Sequence, residues 1–236
     1  MTSIFSEKTP ETTHSMQQST LSIKLQALPH DHPVPTRELP SYSVSFLGSA
    51  GVGKTSLILR AKTNRFQDNL EPSIGINYNF FYFKYLDNSS DVIRLNVIDI
   101  CSNNLYNTFN GRTLNKTDLV VLVYAVDDRK SFDELDEWLH QCKSNMSSQK
   151  CLVYLVANKT DVEERTVADE EGKRYSNSKG FVKYVKTSAK ENGNVDLLKD
   201  IAEYLVNDRK VPRKKSLVLP KETKSEKKER KKKKYC

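Results

Sequence analysis

The fold of this chain is decided by Gly48-Ser49-Ala50-Gly51-Val52-Gly53-Lys54-Thr55, which matches the pattern GxxxxGK followed by Ser or Thr. YSVSFLG, before it, is predicted to form a short strand, and TSLILRAKTN, after it, has the composition and length of a helix. In such a loop the backbone N–H groups wrap a phosphate, Lys54 adds positive charge and Thr55 can ligate Mg²⁺. The stretch predicts a nucleoside triphosphate site, with an ordinary glycine turn as the alternative.

Two further motifs bear on which base is bound. Asn158-Lys159-Thr160-Asp161 ends the predicted strand CLVYLVAN, and Thr187-Ser188-Ala189-Lys190 follows later in the chain. The carboxylate of Asp161 can accept hydrogen bonds from N1–H and N2–H₂ of guanine, a donor pair that adenine lacks, and a buried carboxylate without partners would penalise the wrong base. The second motif offers a backbone N–H to the guanine O6. Together with the phosphate loop, they favour GTP over ATP.

The chain outside these motifs alternates between predicted strands and helices. INYNFFYFKYL and VIRLNVIDI flank DNSSD as a hairpin, and DLVVLVYAV and CLVYLVAN are predicted buried strands on either side of a helix around SFDELDEWLHQC. A helix over 168–177, the strand FVKYVK and a last helix over 194–206 follow. This order predicts an α/β fold with a mostly parallel sheet covered on both faces.

With these motifs in this order, residues 42–207 resemble the Ras superfamily of small GTPases. The resemblance implies the G domain of the P-loop NTPases, with a six-stranded, mostly parallel sheet and helices on both faces. Residues 72–78, Pro-Ser-Ile-Gly-Ile-Asn-Tyr, look like the Rab version of switch I, and the spacing between the two base motifs leaves no room for a Rho-type insert. The Rab branch is therefore the expected one.

The resemblance also implies a set of site residues for the cofactors GTP or GDP and Mg²⁺. Phe66 stands where the family has an aromatic that packs on the guanine, with core packing as its alternative role. Nucleotide contacts are implied for Gly48, Ala50, Gly51, Val52, Gly53, Lys54, Thr55, Ser56, Phe66, Ser73, Asn158, Lys159, Asp161, Ser188, Ala189 and Lys190. Metal contacts are implied for Thr55, Ser73 and Asp99, and catalytic roles for Lys54 and Asn103.

The chain departs from the family at four of its positions. Ser73 replaces a Thr that senses Mg²⁺ and the γ-phosphate, and it keeps the hydroxyl. The family's DxxGQ is here DICSN, residues 99–103, so Ser102 replaces a Gly whose N–H meets the γ-phosphate. Asn103 replaces a Gln that orients the attacking water and is one methylene shorter. With Ala50 at a position where the fastest members have Gly, these changes predict slow GTP hydrolysis, unless another residue or a partner positions the water.

Composition divides the chain into three parts: a disordered N-terminal arm over 1–40, a G domain over 41–207 and a basic flexible tail over 208–236. The arm is rich in Ser, Thr, Gln and Pro and lacks apolar periodicity. The tail holds 14 Lys or Arg against 4 Asp or Glu. An anionic membrane is its expected partner, and nucleic acid is disfavoured because aromatic interleaving is absent apart from Tyr235.

Cysteine placement and the chain terminus bear on the compartment. The four cysteines show neither CxxC nor zinc spacing, and the longest apolar stretch is too short for a transmembrane helix. Cys236 is the last residue, so a single prenyl group beside the lysines would give a two-signal membrane anchor, and an unmodified Cys is the alternative. We expect a cytoplasmic, peripheral membrane monomer with effectors, an exchange factor and an activating protein. A GTP-locked scaffold and an unrelated P-loop protein remain as alternatives.

Overall fold

The computed structural model describes residues 22–29, 39–87, 91–102, 113–146, 151–191 and 195–209. These residues form seven strands and five helices. The strands are β1 (Leu25–Ala27), β2 (Ser41–Leu47), β3 (Ile76–Tyr85), β4 (Val92–Ile100), β5 (Leu119–Ala125), β6 (Val153–Asn158) and β7 (Lys183–Lys186). The helices are α1 (Lys54–Thr63), α2 (Arg129–Asp133), α3 (Leu135–Asn145), α4 (Asp169–Lys179) and α5 (Val195–Arg209).

All seven strands belong to one sheet with the order β1-β3-β4-β2-β5-β6-β7. The pairs β2–β4, β2–β5, β5–β6 and β6–β7 are parallel, whereas β3 pairs antiparallel with β4. The predicted hairpin and the predicted mostly parallel sheet are therefore confirmed. The six expected strands are present, and β1 adds a seventh at the outer edge of β3.

Hydrophobic clusters lie on both faces of the sheet. On one face, Leu57 and Ile58 of α1 and Ile201 and Leu205 of α5 pack against the strands. The other face carries side chains of α2 and α3, among them Trp138. Every residue of β5 is buried, as expected for a central parallel strand with helices on both sides. The predicted helix around SFDELDEWLHQC is interrupted at Glu134, which separates α2 from α3.

The predicted disordered arm is corrected over residues 22–29, because β1 is part of the sheet. Leu25 pairs with Tyr85 in an antiparallel register, and its side chain is fully buried in the core. Its backbone N–H also donates to Oε1 of Glu203 on α5 at 2.8 Å. Burial of one large apolar side chain and hydrogen bonds to two elements are sufficient reason for this segment to be ordered. Residues 1–21 and 30–38 of the predicted arm lie outside the described residues.

The carboxyl ends of the parallel strands meet at one edge of the sheet, which is where ligands bind in open α/β folds. The glycine loop follows β2, Asp99 lies near the end of β4, and Asn158 ends β6. The motifs of the sequence are therefore gathered at one edge by the topology. None of the helices in the described part of the chain is long and apolar enough to cross a membrane.

Candidate nucleotide-binding site

The loop between β2 and α1 adopts a conformation that requires glycine at two places. Gly48 has φ +139°, and a Cβ added there would lie 2.1 Å from the carbonyl oxygen of Val123 on β5. Gly53 has φ +93°, and a Cβ would lie 2.3 Å from Nδ2 of Asn158. L-residues with side chains rarely adopt such φ values, and neither position has space for one. The loop is thus packed tightly on the neighbouring strands, and its backbone is held in one shape.

Lys54, the first residue of α1, is buried with 7% of its surface exposed. Its ammonium group donates to the carbonyl oxygens of Gly48 at 2.8 Å and Ser49 at 2.9 Å. A third bond goes to Oγ of Ser102 at 2.6 Å. Burial lowers the pKa of Lys54 to about 8, while the charge of Asp99 acts in the opposite direction. Because the ammonium group of Lys54 is largely removed from water, its interaction with an anion is stronger than it would be on the protein surface.

The three predicted metal-binding side chains lie together beside Lys54. Thr55 Oγ1 donates to Oδ2 of Asp99 at 2.6 Å and lies 2.5 Å from Oγ of Ser73. Ser73 Oγ is also 3.4 Å from the same carboxylate oxygen. The other oxygen of Asp99, Oδ1, is buried and has no hydrogen-bond partner among the described residues. Hard oxygen donors with one buried orphan carboxylate oxygen suit a cation such as Mg²⁺.

The two base motifs meet at the other end of the cleft. Asn158 donates from Nδ2 to the carbonyl oxygen of Val52 at 2.8 Å, and its Oδ1 accepts from Thr187 Oγ1 at 2.9 Å. Asn158 thereby ties the second motif to the phosphate loop. Oγ of Ser188 donates to Oδ1 of Asp161 at 2.6 Å, across 27 positions of sequence. The hydroxyl fixes the carboxylate of Asp161 in one orientation before any base arrives.

Lys159 and Phe66 form the side walls of this end. Lys159 has φ +63°, and its ammonium pairs with Oδ2 of Asp127 at 3.3 Å. Phe66 lines the cleft and also packs against the hydrophobic core, so both roles considered for it are compatible with its position. Both residues line the same cleft as Asp161.

The cleft has a volume of about 850 Å³. It is lined by most of the predicted site residues, namely Ala50, Gly51, Gly53, Lys54, Thr55, Ser56, Phe66, Ser73, Asp99, Asn158, Lys159, Asp161, Ala189 and Lys190. Three others contact residues of the cleft wall. The carbonyls of Gly48 and Val52 accept hydrogen bonds from Lys54 and Asn158, and Ser188 bonds Asp161. The predicted catalytic residue Asn103 lies outside the described residues.

Sequence reasoning missed the wall between Phe66 and Ser73. Gln67, Asp68, Leu70 and Glu71 line the cleft there, as do Ile100, Cys101 and Ser102 at the opposite side. The first group has no motif of its own, and only its place between two predicted site residues could have indicated it. Ser102 was identified by sequence as a departure from the family, but its contact with Lys54 was not foreseen.

Comparisons with known proteins agree with this geometry. A model of the Ras family matches residues 43–206 of the chain. The Ras-related protein Rab-17 of Mus musculus is 33% identical over 162 residues, which cover 68% of this chain and 73% of that protein. The Ras-related protein RABG3b of Arabidopsis thaliana is 30% identical over 167 residues, covering 68% and 81%. The Ras-like protein rasU of Dictyostelium discoideum is 30% identical over 171 residues, covering 72% and 78%.

Proposed function

This chain belongs to the Ras family, and on that premise we propose that it is a Rab-like small GTPase that binds GTP and GDP and hydrolyses GTP slowly. The observation that carries the proposal is the cleft in which Lys54 and Asp161 occupy opposite ends, joined through Asn158. One end suits phosphates and the other suits guanine. Members of this family are GTPases that bind guanine nucleotide with Mg²⁺.

The base end is proposed to recognise guanine by charge and by shape. The carboxylate of Asp161, already oriented by Ser188, accepts hydrogen bonds from N1–H and N2–H₂ of the base. The backbone N–H of Ala189 donates a hydrogen bond to the guanine O6, while Phe66 and Lys159 pack against the ring. Adenine lacks the two donors for Asp161 and would leave a desolvated carboxylate without partners. Rejection of adenine then follows from the unpaired-group penalty.

The phosphate end is proposed to hold the β- and γ-phosphates. Gly51, Gly53, Lys54 and Thr55 line the cleft, and we expect their backbone N–H groups to bind phosphate oxygens while Lys54 supplies positive charge. Thr55, Ser73 and Asp99 are the residues that would hold Mg²⁺. When bound, Mg²⁺ neutralises the charge that develops on the phosphate oxygens.

Slow hydrolysis is proposed from Ala50, Ser102 and Asn103 together. Ala50 and Ser102 line the cleft at its phosphate end, so their side chains take up space where a family member with glycine has none. Asn103 is shorter than the Gln that would orient the attacking water. A partner that supplies a Gln or an Arg finger could restore turnover. Without such a partner, we expect GTP to persist on the chain, and persistent GTP also suits the alternative of a GTP-locked scaffold.

The proposed setting is vesicle or membrane traffic, at the cytosolic leaflet, with effectors that recognise the GTP state. The curated relatives include several Ras-related Rab proteins. The basic tail and Cys236, which lie outside the described residues, would attach the chain to anionic membrane, with or without a prenyl group. Partition between cytosol and membrane of the wild type and of Cys236→Ser tests the lipid. Equal partition of the two would contradict it.

The binding proposal is tested by identifying the nucleotide on the purified chain and by competition. We expect guanine nucleotide to be recovered, and we expect GDP and GTP to displace a fluorescent GDP at concentrations where ADP and ATP do not. Competition by ADP as strong as by GDP would contradict the assignment of Asp161 and would favour an unrelated P-loop protein. The same measurement on the Asp161→Ala variant separates base recognition from phosphate binding.

A further inference from the structure

The hydroxyl of Ser102 is placed against Lys54 in a way that the backbone role of its position does not require. Its Oγ accepts from the Lys54 ammonium at 2.6 Å and donates to the carbonyl oxygen of Gly48 at 2.8 Å. Lys54 also donates to the carbonyls of Gly48 and Ser49. An ammonium has three N–H donors, so three acceptors saturate Lys54. Any phosphate oxygen that binds Lys54 must take the place of one of them.

The three acceptors differ in their freedom to leave. The two carbonyls belong to the glycine loop, whose backbone is fixed by the close approach of Gly48 to Val123. Ser102 is half-buried and holds Lys54 by a side chain, which can leave by rotating about one bond. The other hydroxyls nearby are engaged elsewhere, since Thr55 and Ser73 bond Asp99 and Oγ of Ser49 donates to Glu134. Ser102 is therefore the contact that a group arriving on the γ-phosphate side of Lys54 displaces most easily, because the family's residue at this position meets the γ-phosphate.

We propose that Ser102 is a specificity-determining residue whose hydroxyl competes with the γ-phosphate for Lys54 and so favours GDP over GTP. The inference rests on the proposed function, because it concerns the same site. With a diphosphate, Lys54 turns from one loop carbonyl to an oxygen of the β-phosphate that the loop wraps, and it retains Ser102 and the other carbonyl. With a triphosphate, a γ-phosphate oxygen needs a second donor, and Ser102 loses its place. The hydroxyl of Ser102 thereby takes the position on Lys54 that a γ-phosphate oxygen would occupy.

The competition has a measurable consequence for the ratio of the two affinities. Without the hydroxyl, Lys54 lacks that acceptor when GDP is bound, while the GTP complex loses nothing. The bond that is lost joins the charged Lys54 to the hydroxyl of Ser102. We therefore expect removal of the hydroxyl to raise the preference for triphosphate over diphosphate roughly tenfold. If instead the hydroxyl turned to donate to the γ-phosphate, its removal would lower the affinity for GTP and the ratio would fall.

The experiment measures the dissociation constants of GDP and of a non-hydrolysable GTP analogue on the full chain with Mg²⁺. The variants are Ser102→Ala and Ser102→Gly, which remove the hydroxyl, and Ser102→Thr, which keeps one. Ser178→Ala is a matched control, because that exposed hydroxyl donates to the carbonyl of Tyr175 on α4 and neither residue lines the cleft. Thermal unfolding of each variant checks that the fold is retained.

We expect both Ser102→Ala and Ser102→Gly to raise the preference for triphosphate roughly tenfold, and Ser102→Thr and Ser178→Ala to leave it near the wild-type value. An unchanged or lowered ratio in Ser102→Ala overturns the inference while leaving the proposed function intact. A change in Ser102→Gly alone also overturns it, since backbone freedom would then be the cause. A wild-type chain that binds neither guanine nucleotide overturns the proposed function, and this inference with it.

Discussion

The two ends of the cleft are prepared for a ligand in opposite ways. At the base end, Asn158 and Ser188 fix the protein side of the site, and the groups proposed to meet the base remain available in the cleft. At the phosphate end, the groups proposed to meet phosphate and metal bond one another instead. Lys54 is held by Ser102, and Thr55 by Asp99. A base can therefore bind without displacing any contact, whereas a phosphate oxygen that binds Lys54 must displace one of its three acceptors.

This difference means that the base end determines which base is bound, whereas the phosphate end determines the balance between the GDP-bound and GTP-bound states. A site with fixed hydrogen-bonding groups discriminates bases without rearrangement, because the wrong base leaves a buried group unpaired. At the phosphate end the ammonium of Lys54 is already satisfied, so a phosphate gains only the difference in free energy between the old and the new partner of Lys54. The phosphate end is therefore the end at which small changes of sequence alter the balance between GDP and GTP. It is also the end at which Ala50, Ser73 and Ser102 depart from the family.

The largest effect is expected from Gly48→Ala, which would break the scaffold of the phosphate end. The new Cβ would lie 2.1 Å from a backbone oxygen of β5, which cannot move without disturbing the central strand. We expect a loss of roughly 3 to 4 kcal/mol in the free energy of unfolding, measured with denaturant. Gly51→Ala is the control, because φ is also positive there but, among the described residues other than its two chain neighbours, no atom lies within 4 Å of an added Cβ. A similar loss in both variants would show that φ alone governs the loop.

The next effect is expected at the base end, from Asp161→Ala. Loss of the carboxylate removes two charge-assisted hydrogen bonds to guanine, so we expect the affinity for GDP to fall roughly a hundredfold, about 3 kcal/mol. Discrimination against ADP should be lost as well. Asp127→Ala serves as the control, since that carboxylate touches Lys159 at a partly exposed surface. A loss as large in Asp127→Ala would assign the effect to Lys159 rather than to base recognition.

A smaller effect at the base end is expected from Ser188→Ala. The hydroxyl donates to Oδ1 of Asp161 and accepts from the backbone N–H of Glu191, so it orients the carboxylate from the protein side. Its removal should weaken GDP and GTP equally, by roughly tenfold or about 1.4 kcal/mol. Fluorescence titration with both nucleotides measures the ratio. Unequal weakening would mean that the two ends of the cleft are coupled.

The smallest effect is expected from Ser73→Ala, the counterpart of Ser188→Ala at the phosphate end. Thr55 keeps its bond to Asp99 when Ser73 is gone, so the cluster survives without ligand. We expect the affinity for a GTP analogue with Mg²⁺ to fall roughly fivefold, about 1 kcal/mol, and that for GDP to stay constant. If GDP weakened as much as GTP, Ser73 would not distinguish the two states.

The sequence predicted the sheet, the order of its helices and strands, and the gathering of the motifs at one edge, because hydrophobic periodicity and motif spacing are local signals. It did not predict β1, although Ile23, Leu25 and Ala27 alternate with polar residues as a strand requires. The strand has only three residues, and its stability comes from Tyr85 and Glu203, which are far away in the chain. Long-range partners of this kind are invisible to local patterns.

The contacts inside the cleft likewise divide into those that local sequence patterns predict and those that depend on residues far apart in the chain. The identities of Lys54 and Asp161 follow from motifs, but the hydroxyls that hold them, Ser102 and Ser188, are 48 and 27 positions away from them. A serine carries no signal of its own, since its role depends on which atom lies within reach of its hydroxyl. Only the folded arrangement shows that one hydroxyl prepares its partner for a ligand and the other occupies the ligand's place.

The central claim is that this chain binds guanine as its family does but hydrolyses GTP slowly because residues of its phosphate end differ from the family. Single-turnover hydrolysis of GTP tests the claim about hydrolysis most directly. The measurement compares wild type with the double variant Ser102→Gly and Asn103→Gln, both loaded with GTP and Mg²⁺. We predict that GTP persists on the wild type and that the double variant hydrolyses it at least roughly tenfold faster, because water positioning and backbone freedom are restored. Equal rates in the two proteins, with rapid release of phosphate by the wild type, would contradict the account.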